Sequence, residues 1–210
     1  MRKSLIIAAV ALAVPVFAQK YEVGIQGGAS IYQSKQITNA RGSVDAGFRP
    51  GWTAGVTVGQ DMYDHVGGEL RYSYLHNASK LTSGSAEAKF GGHSHAIHYD
   101  LLIHTRDRES NVRPYVAVGG GAKIYQGTGA EQAFQPLSDI AILTKTSDVK
   151  GLLSFGAGVK VKLKDSMWFR VDVHDYITPF PKKVITPGAG SSVGGWLNNI
   201  VTTAGLTFTF

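Results

Sequence analysis

The chain has 210 residues, enough for one domain, and carries a formal charge of +6 with no cysteine. The absence of cysteine excludes a disulfide-stapled scaffold, a lipoprotein anchor and thiolate metal sites. Hydrophobic residues make up 43% of the chain and glycine 26 positions, a mixture suited to barrel strands lined by small inward residues.

The chain opens MRKSLIIAAVALAVPVFAQ. Arg2 and Lys3 are basic, Leu5 to Val14 form a short apolar run, and Val16 and Ala18 set small residues before a cleavage point. The pattern predicts a secretory signal peptide over 1–18 and a mature chain, 19–210, starting at Gln19. The apolar run is too short to span a bilayer as a helix, and no later segment is longer.

The first strand is predicted over Tyr21 to Tyr32, with Tyr21, Val23, Ile25, Ala29 and Ile31 on one face. Glu22, Gly24, Gln26, Gly28 and Ser30 take the other face, the period of two that a strand imposes. A polar loop follows to about Pro50. The second strand, Gly51 to Gln60, sets Trp52, Ala54, Val56 and Val58 against Thr53, Gly55, Thr57 and Gly59, and Asp61 to Asp64 make a tight turn.

The third strand starts at His65, with Val66, Leu70, Tyr72 and Tyr74 opposite Gly67, Glu69, Arg71 and Ser73. A second polar loop runs from about His76 into Gly92. The fourth strand sets Ile97, Tyr99, Leu101 and Ile103 against Ala96, His98 and Asp100, and Gly91-Gly92 marks a possible bulge at its start. After the turn Thr105 to Asn111, the fifth strand, Val112 to Tyr125, turns Val116, Val118, Ala122 and Ile124 outward. Arg113, Tyr115, Ala117, Gly119, Gly121 and Lys123 point in.

The longest loop, Gln126 to about Val149, is expected to hold a short helix or a strand extension over Leu137 to Leu143. The sixth strand sets Leu153, Phe155, Ala157, Val159, Val161 and Leu163 against Ser154, Gly156, Gly158, Lys160 and Lys162. A turn at Lys164 to Ser166 leads to the seventh, with Phe169, Val171 and Val173 facing away from Arg170, Asp172 and His174. A Pro/Gly/Ser-rich loop, Thr178 to Gly195, precedes the last strand, Asn199 to Phe210. There Ile200, Ala204, Leu206, Phe208 and Phe210 alternate with Val201, Thr203, Gly205, Thr207 and Thr209.

Eight strands with connections alternating long and short predict an all-β fold, an eight-stranded antiparallel up-and-down transmembrane β-barrel. A soluble barrel would turn its apolar face inward. Here the bulky apolar face is opposite the face carrying Glu69, Arg71, Asp100, Lys160, Arg170 and Asp172. Short turns then belong in the periplasm together with both termini, and long loops outside.

The signal peptide, the eight alternating strands, the run Arg113-Pro114-Tyr115-Val116 with Gly119-Gly120-Gly121, and the terminal Phe210 together resemble the small outer-membrane β-barrel family, the A- and X-type barrels. The resemblance implies an outer-membrane location and a monomer. It also implies that Leu206, Phe208 and Phe210 form the signal read by the barrel assembly machinery.

The predicted interior carries Glu69, Arg71, Asp100, Arg113, Lys160, Arg170 and Asp172. Counted from the short turns, Glu69, Asp100, Lys160 and Arg170 fall in one layer, with Asp172 diagonal to Lys160, and Asp100 near Arg113 and Tyr115. Such charges either pair and plug a narrow lumen or line a selective water path. His93, His95 and His98 resemble a metal cluster, but His98 falls on the other face and no acid stands at matching spacing, so no metal site is expected.

His93-Ser94 is similar, without the surrounding motif, to the His and Ser of barrel enzymes that deacylate lipid A, a remote alternative. Gly190-Ser191-Ser192-Val193-Gly194 fits G-x-S-x-G but sits in a loop, not on a strand-to-helix elbow. No catalytic residue, cofactor or nucleic-acid contact is expected. The long loops and their margins carry Lys35, Arg41, Arg49, Lys80, Lys89, Lys145, Lys150, Lys182 and Lys183 against fewer acids. This charge marks either a solvated loop surface or a contact with the phosphates of outer-membrane lipopolysaccharide. The expected role is structural or surface-interacting and non-enzymatic, with a narrow porin-like channel as the alternative.

Overall fold

The computed structural model describes residues 20–131 and 134–210, and the predicted signal peptide lies outside them. No helix occurs among the described residues; fourteen strands account for the regular structure. Eight long ones close the barrel: β1 (Lys20–Tyr32), β4 (Gly51–Asp61), β5 (Val66–Leu75), β8 (Gly92–His104), β9 (Val112–Gly127), β11 (Ser147–Lys164), β12 (Met167–Pro179) and β14 (Trp196–Thr209). Each pairs antiparallel with its neighbours in sequence, and β1 pairs with β14 to close the ring.

Side chains alternate as the period of two demands. Ile25, Val56, Leu70, Ile97, Val116, Phe155, Val171 and Phe208 are exposed on the outer face. Glu69, Arg71, Asp100, Arg113, Lys160, Arg170 and Asp172 are buried inside. An interior that is charged and an exterior that is apolar is the inverse of a soluble core, and it suits a lipid surround. Gly91-Gly92 does not shift the parity, since β8 keeps continuous register with both β5 and β9. The irregularity falls instead in β11, between Lys162 and Lys164. The start of β1, the end of β14 and the three short turns all lie at one end of the barrel.

The other end departs from the expectation of solvated loops. The first long loop folds into the hairpin β2 (Lys35–Asn39) and β3 (Gly42–Phe48), the second into β6 (Ser79–Ser83) and β7 (Ala86–Phe90). Pairing of β3 with β6 joins them into a four-stranded sheet of order β2-β3-β6-β7. Gly42 (φ 146°) and Gly84 (φ 56°) supply the left-handed backbone at the two hairpin turns. The segment 137–143 forms neither a helix nor a strand extension. It turns at Leu137 into β10 (Ala141–Leu143), which pairs with β13 (Ile185–Pro187) of the fourth loop. A bridge between Thr38 and Ser192 and the Arg41–Asp139 ion pair at 3.1 Å tie the loops together.

The reason is apolar burial. Ile37, Val44, Ala46, Phe48, Leu81, Ala88, Phe90, Ile140, Leu143, Phe180, Val184 and Ile185 form one cluster. Tyr32, Tyr125 and Leu197, inward residues at the ends of barrel strands, join it, so the loops fold down as a lid over the mouth.

Two outcomes follow. Val171→Lys, on the outer face between the inward Arg170 and Asp172, is expected to cost about 2–4 kcal/mol in reversible unfolding from lipid, by the midplane scale for lysine; an unchanged midpoint would contradict the facing of β12. Leu81→Ala should cost the lid about 2–5 kcal/mol. It should open Lys80 and Lys89 to trypsin while the heat-resistant mobility of the barrel on gels persists.

Candidate functional site

An eight-stranded barrel is only wide enough to be filled by its own side chains. Long charged residues on opposite strands therefore meet across the axis. β5 and β12 are four strands apart in the ring of eight, diametrically opposed. Glu69 and Arg71 on β5 face Arg170 and Asp172 on β12, and the four form a closed quartet.

Arg71 donates Nη1 to Asp172 Oδ1 at 3.0 Å and Nε to Glu69 Oε1 at 3.2 Å. Arg170 donates Nε to Asp172 Oδ2 at 2.6 Å and Nη2 to Glu69 Oε1 at 3.0 Å, and its Nη1 bonds Glu69 Oε2. Each guanidinium bridges both carboxylates, and two positive charges balance two negative ones. Asp172 is further held by the Tyr115 hydroxyl at 2.9 Å and the Thr203 hydroxyl at 2.7 Å.

Toward the short-turn end, Arg113 Nη1 bonds Asp61 Oδ2 at 2.8 Å, and Lys160 bonds Glu22. Arg113 and Lys160 thus have partners, Asp61 and Glu22, other than those the sequence suggested. Although Lys160 sits opposite Arg170 in register, its ammonium turns away from Asp172. Asp100 is not near Arg113 or Tyr115, because β8 pairs it with Gly119. Its Oδ1 bonds His98 Nδ1 at 2.9 Å, and its Oδ2 lies 3.8 Å from His174 Nδ1.

The layer above the quartet is made of residues that the sequence places inward but, Asp100 apart, does not count in the charged network. His98 Nε2 lies 3.0 Å from the Tyr176 hydroxyl, and His174 Nδ1 lies 3.1 Å from Ser154 Oγ. With Asp172 3.7 Å from His174 Nε2, this is a Ser–His–Asp string. It sits at full burial, and both Asp172 oxygens are already bonded to arginines. The hydroxyl therefore has no approach for a substrate, which a nucleophile requires. Higher still, Lys123 Nζ bonds Asn199 Oδ1 at 2.6 Å and lies over the rings of Tyr32, Tyr125 and Tyr176, at 4.6, 5.2 and 5.5 Å. Alternation on β8, β9, β11, β12 and β14 marks these positions as inward, and that is the signal from which they are legible.

His93 and His95 face outward and His98 inward. Ser94, unlike His93, turns inward, where its hydroxyl meets that of Tyr32 at 3.3 Å, so the pair does not act from one face. Among the described residues no group of three or more His, Asp or Glu converges on a metal position. On the lid sheet, Lys89 bonds Glu87 at 2.7 Å and Lys80 approaches it at 3.7 Å. The bond from Lys89 holds the Glu87 carboxyl below its usual range.

A closed antiparallel barrel with an apolar outer band and a charged, cross-braced lumen is the architecture of a protein that spans an outer membrane on strands. The chain belongs to the outer membrane protein beta-barrel domain family, whose model matches residues 4–210. It is accordingly an outer-membrane β-barrel of the Gram-negative kind, in a lipid surround. No curated protein matches the sequence.

Solved structures share the fold. Neisserial surface protein A is 12% identical, with a TM-score of 0.55 over 91% of this chain and 97% of that one. OprG from Pseudomonas aeruginosa is 15% identical, with 0.52 over 90% and 95%. The outer membrane protease OmpT from Escherichia coli is 10% identical, with 0.51 over 91% and 97%. At these identities the likeness concerns the fold, which carries several functions.

Removing one member of the quartet strands its partners. Asp172→Ala is expected to destabilise the barrel by about 3–5 kcal/mol, as for a broken buried pair. Adding Arg71→Met should cost less than the two single changes summed, because the surplus positive charge leaves with it. Adding Lys160→Ala should bring no such relief, since Lys160 answers Glu22. Urea unfolding from detergent micelles measures all three, and strict additivity of Asp172 with Arg71 would contradict the quartet.

Proposed function

We propose that this chain is a non-enzymatic outer-membrane barrel with a structural or surface-interaction role, plugged by its own lumen and presenting a folded lid outside the cell. The observation that carries this reading is the pair of interiors, charged in the barrel and apolar under the lid. Bonds cross the lumen in successive layers, and the mouth above them is covered by the loop core. The short turns and both termini are assigned to the periplasm, which puts the lid among the lipopolysaccharide headgroups, and the chain is read as a monomer.

Arg49, Lys80 and Lys89 stand at the lid margin near Glu87, with more positive than negative charge. Guanidinium and ammonium groups in that place suit lipopolysaccharide phosphates or an anionic partner surface. For assembly, Phe210 is exposed at the short-turn end and its amide donates to Tyr21 O at 2.9 Å, while Phe208 faces lipid. Both stand free for the assembly machinery, with Leu206 on the same face.

A narrow channel is the second reading, favoured by polar atoms in the lumen without hydrogen-bond partners. Asp100 Oδ2, His174 Nε2 and both ring nitrogens of His104 are among them, and buried polar groups of this kind are commonly met by water.

In planar bilayers the purified barrel is expected to give no steady conductance steps; regular steps would favour the channel. Lys80→Glu with Lys89→Glu should weaken lipopolysaccharide binding several-fold at low salt, with a shallower salt dependence. Phe210→Asp should lower the amount reaching the outer membrane well below that of Thr209→Asp. Equal levels would remove the assembly role of Phe210.

A further inference from the structure

Seven histidines occur in the chain. His65 and His104 lie at the short-turn end, and His98 and His174 in the lumen. The other three are His76, His93 and His95, gathered at the long-loop rim with Trp52, Tyr72 and Tyr74. An aromatic belt accounts for the tryptophan and the tyrosines at such a rim. It does not account for two imidazoles on one strand, two residues apart and on the same face.

We propose that His93 and His95 form a two-histidine site for a divalent transition-metal cation of zinc type on the outer wall of the barrel. Their ring centroids are 5.2 Å apart, with the planes at 88°. With Zn–N bonds of ~2.1 Å and roughly 1.1 Å from nitrogen to ring centre, two imidazoles on one tetrahedral ion have centroids about 5.2 Å apart. The free side chains already hold the spacing that the bound state needs.

The surroundings fix the rings. Tyr74 packs on both, 5.4 Å from His93 and 5.4 Å from His95. The Tyr72 hydroxyl meets His95 Nδ1 at 2.8 Å, which occupies that nitrogen and would leave Nε2 to ligate. Outer partners of metal-bound imidazoles act in this way. Gln126, opposite His93 in the β8–β9 register and beside the His95 ring, offers an amide oxygen as a further donor. Water completes the shell, so the site is open rather than closed, and its neutral imidazoles suit zinc, copper and nickel over magnesium or calcium.

The test is calorimetric titration of zinc sulfate alone into the detergent-purified barrel carrying no histidine tag. One equivalent should bind. His93→Ala and His95→Ala should each weaken that event by at least about tenfold, and Tyr72→Phe, which removes only the outer hydroxyl, by ~10-fold. His65→Ala, at the opposite end and with its Nε2 3.0 Å from Asp107 Oδ1, should leave it unchanged. Gel mobility of unheated samples checks that each variant is folded, and His95→Gln stands in if His95→Ala misfolds. Zinc binding retained in the His93→Ala, His95→Ala double variant, or lost equally in His65→Ala, would overturn the proposal.

Discussion

The structure depends on charge neutrality in a lumen too narrow for bulk water. A guanidinium in such a place keeps its proton and its charge, so it needs carboxylates in reach on more than one side. Arg71 and Arg170 meet that need by sharing Glu69 and Asp172 across the full width of the barrel. The planar fork matters, because two donors on each arginine reach two different acids; a lysine at either position would offer a point charge with poorer bridging geometry. The bracing in turn depends on the closed ring of eight, which places β5 and β12 diametrically.

Glycine makes room for the charged layers. A Cβ at Gly158 would run into Asp172 and the Tyr115 ring, one at Gly156 into His174, one at Gly119 into Asp100, and one at Gly121 into His98. Small inward residues on β9 and β11 thus sit beside the large ones on β8 and β12. The wall is thin where the filling is thick. Above these layers the environment changes sign. Lys123 is the boundary: it has an amide oxygen and three tyrosine rings for company, and above it the loop core is mostly apolar, with a few hydroxyl and amide pairs such as Tyr125 with Thr178.

Much of this was legible in the sequence, and the limits have physical causes. Strand identity and facing follow from alternation, which a lipid-exposed barrel enforces at every transmembrane residue; Leu70, Arg71 and Tyr72 could be placed from that rule alone. Cross-lumen partners were harder. Alternation says that Lys160 points in, but not which of the inward carboxylates it meets, because a long side chain reaches across several strands to Glu22. The partner of Asp100 is hidden for a related reason. Its strand register with β9 is set by the length of the 105–111 turn, and that length puts Gly119, not Arg113, beside it.

The lid shows a different kind of limit. Val44, Ala46 and Phe48 alternate, as do Ala88 and Phe90, yet each run is short and embedded in polar residues, so the pattern reads as a solvated loop. The apolar residues of any one loop are too few to bury themselves. They become a core only when four loops meet above Tyr32, Tyr125 and Leu197, and that meeting is a property of the closed barrel rather than of any local stretch. The barrel is thus a template for its own lid. Exposed chemistry is left to the sheet margin and the outer rim, while the inward charges are spent on one another. A function for this molecule is therefore best sought where side chains remain available, at Arg49, Lys80 and Lys89 on the margin and at His93 and His95 on the wall below.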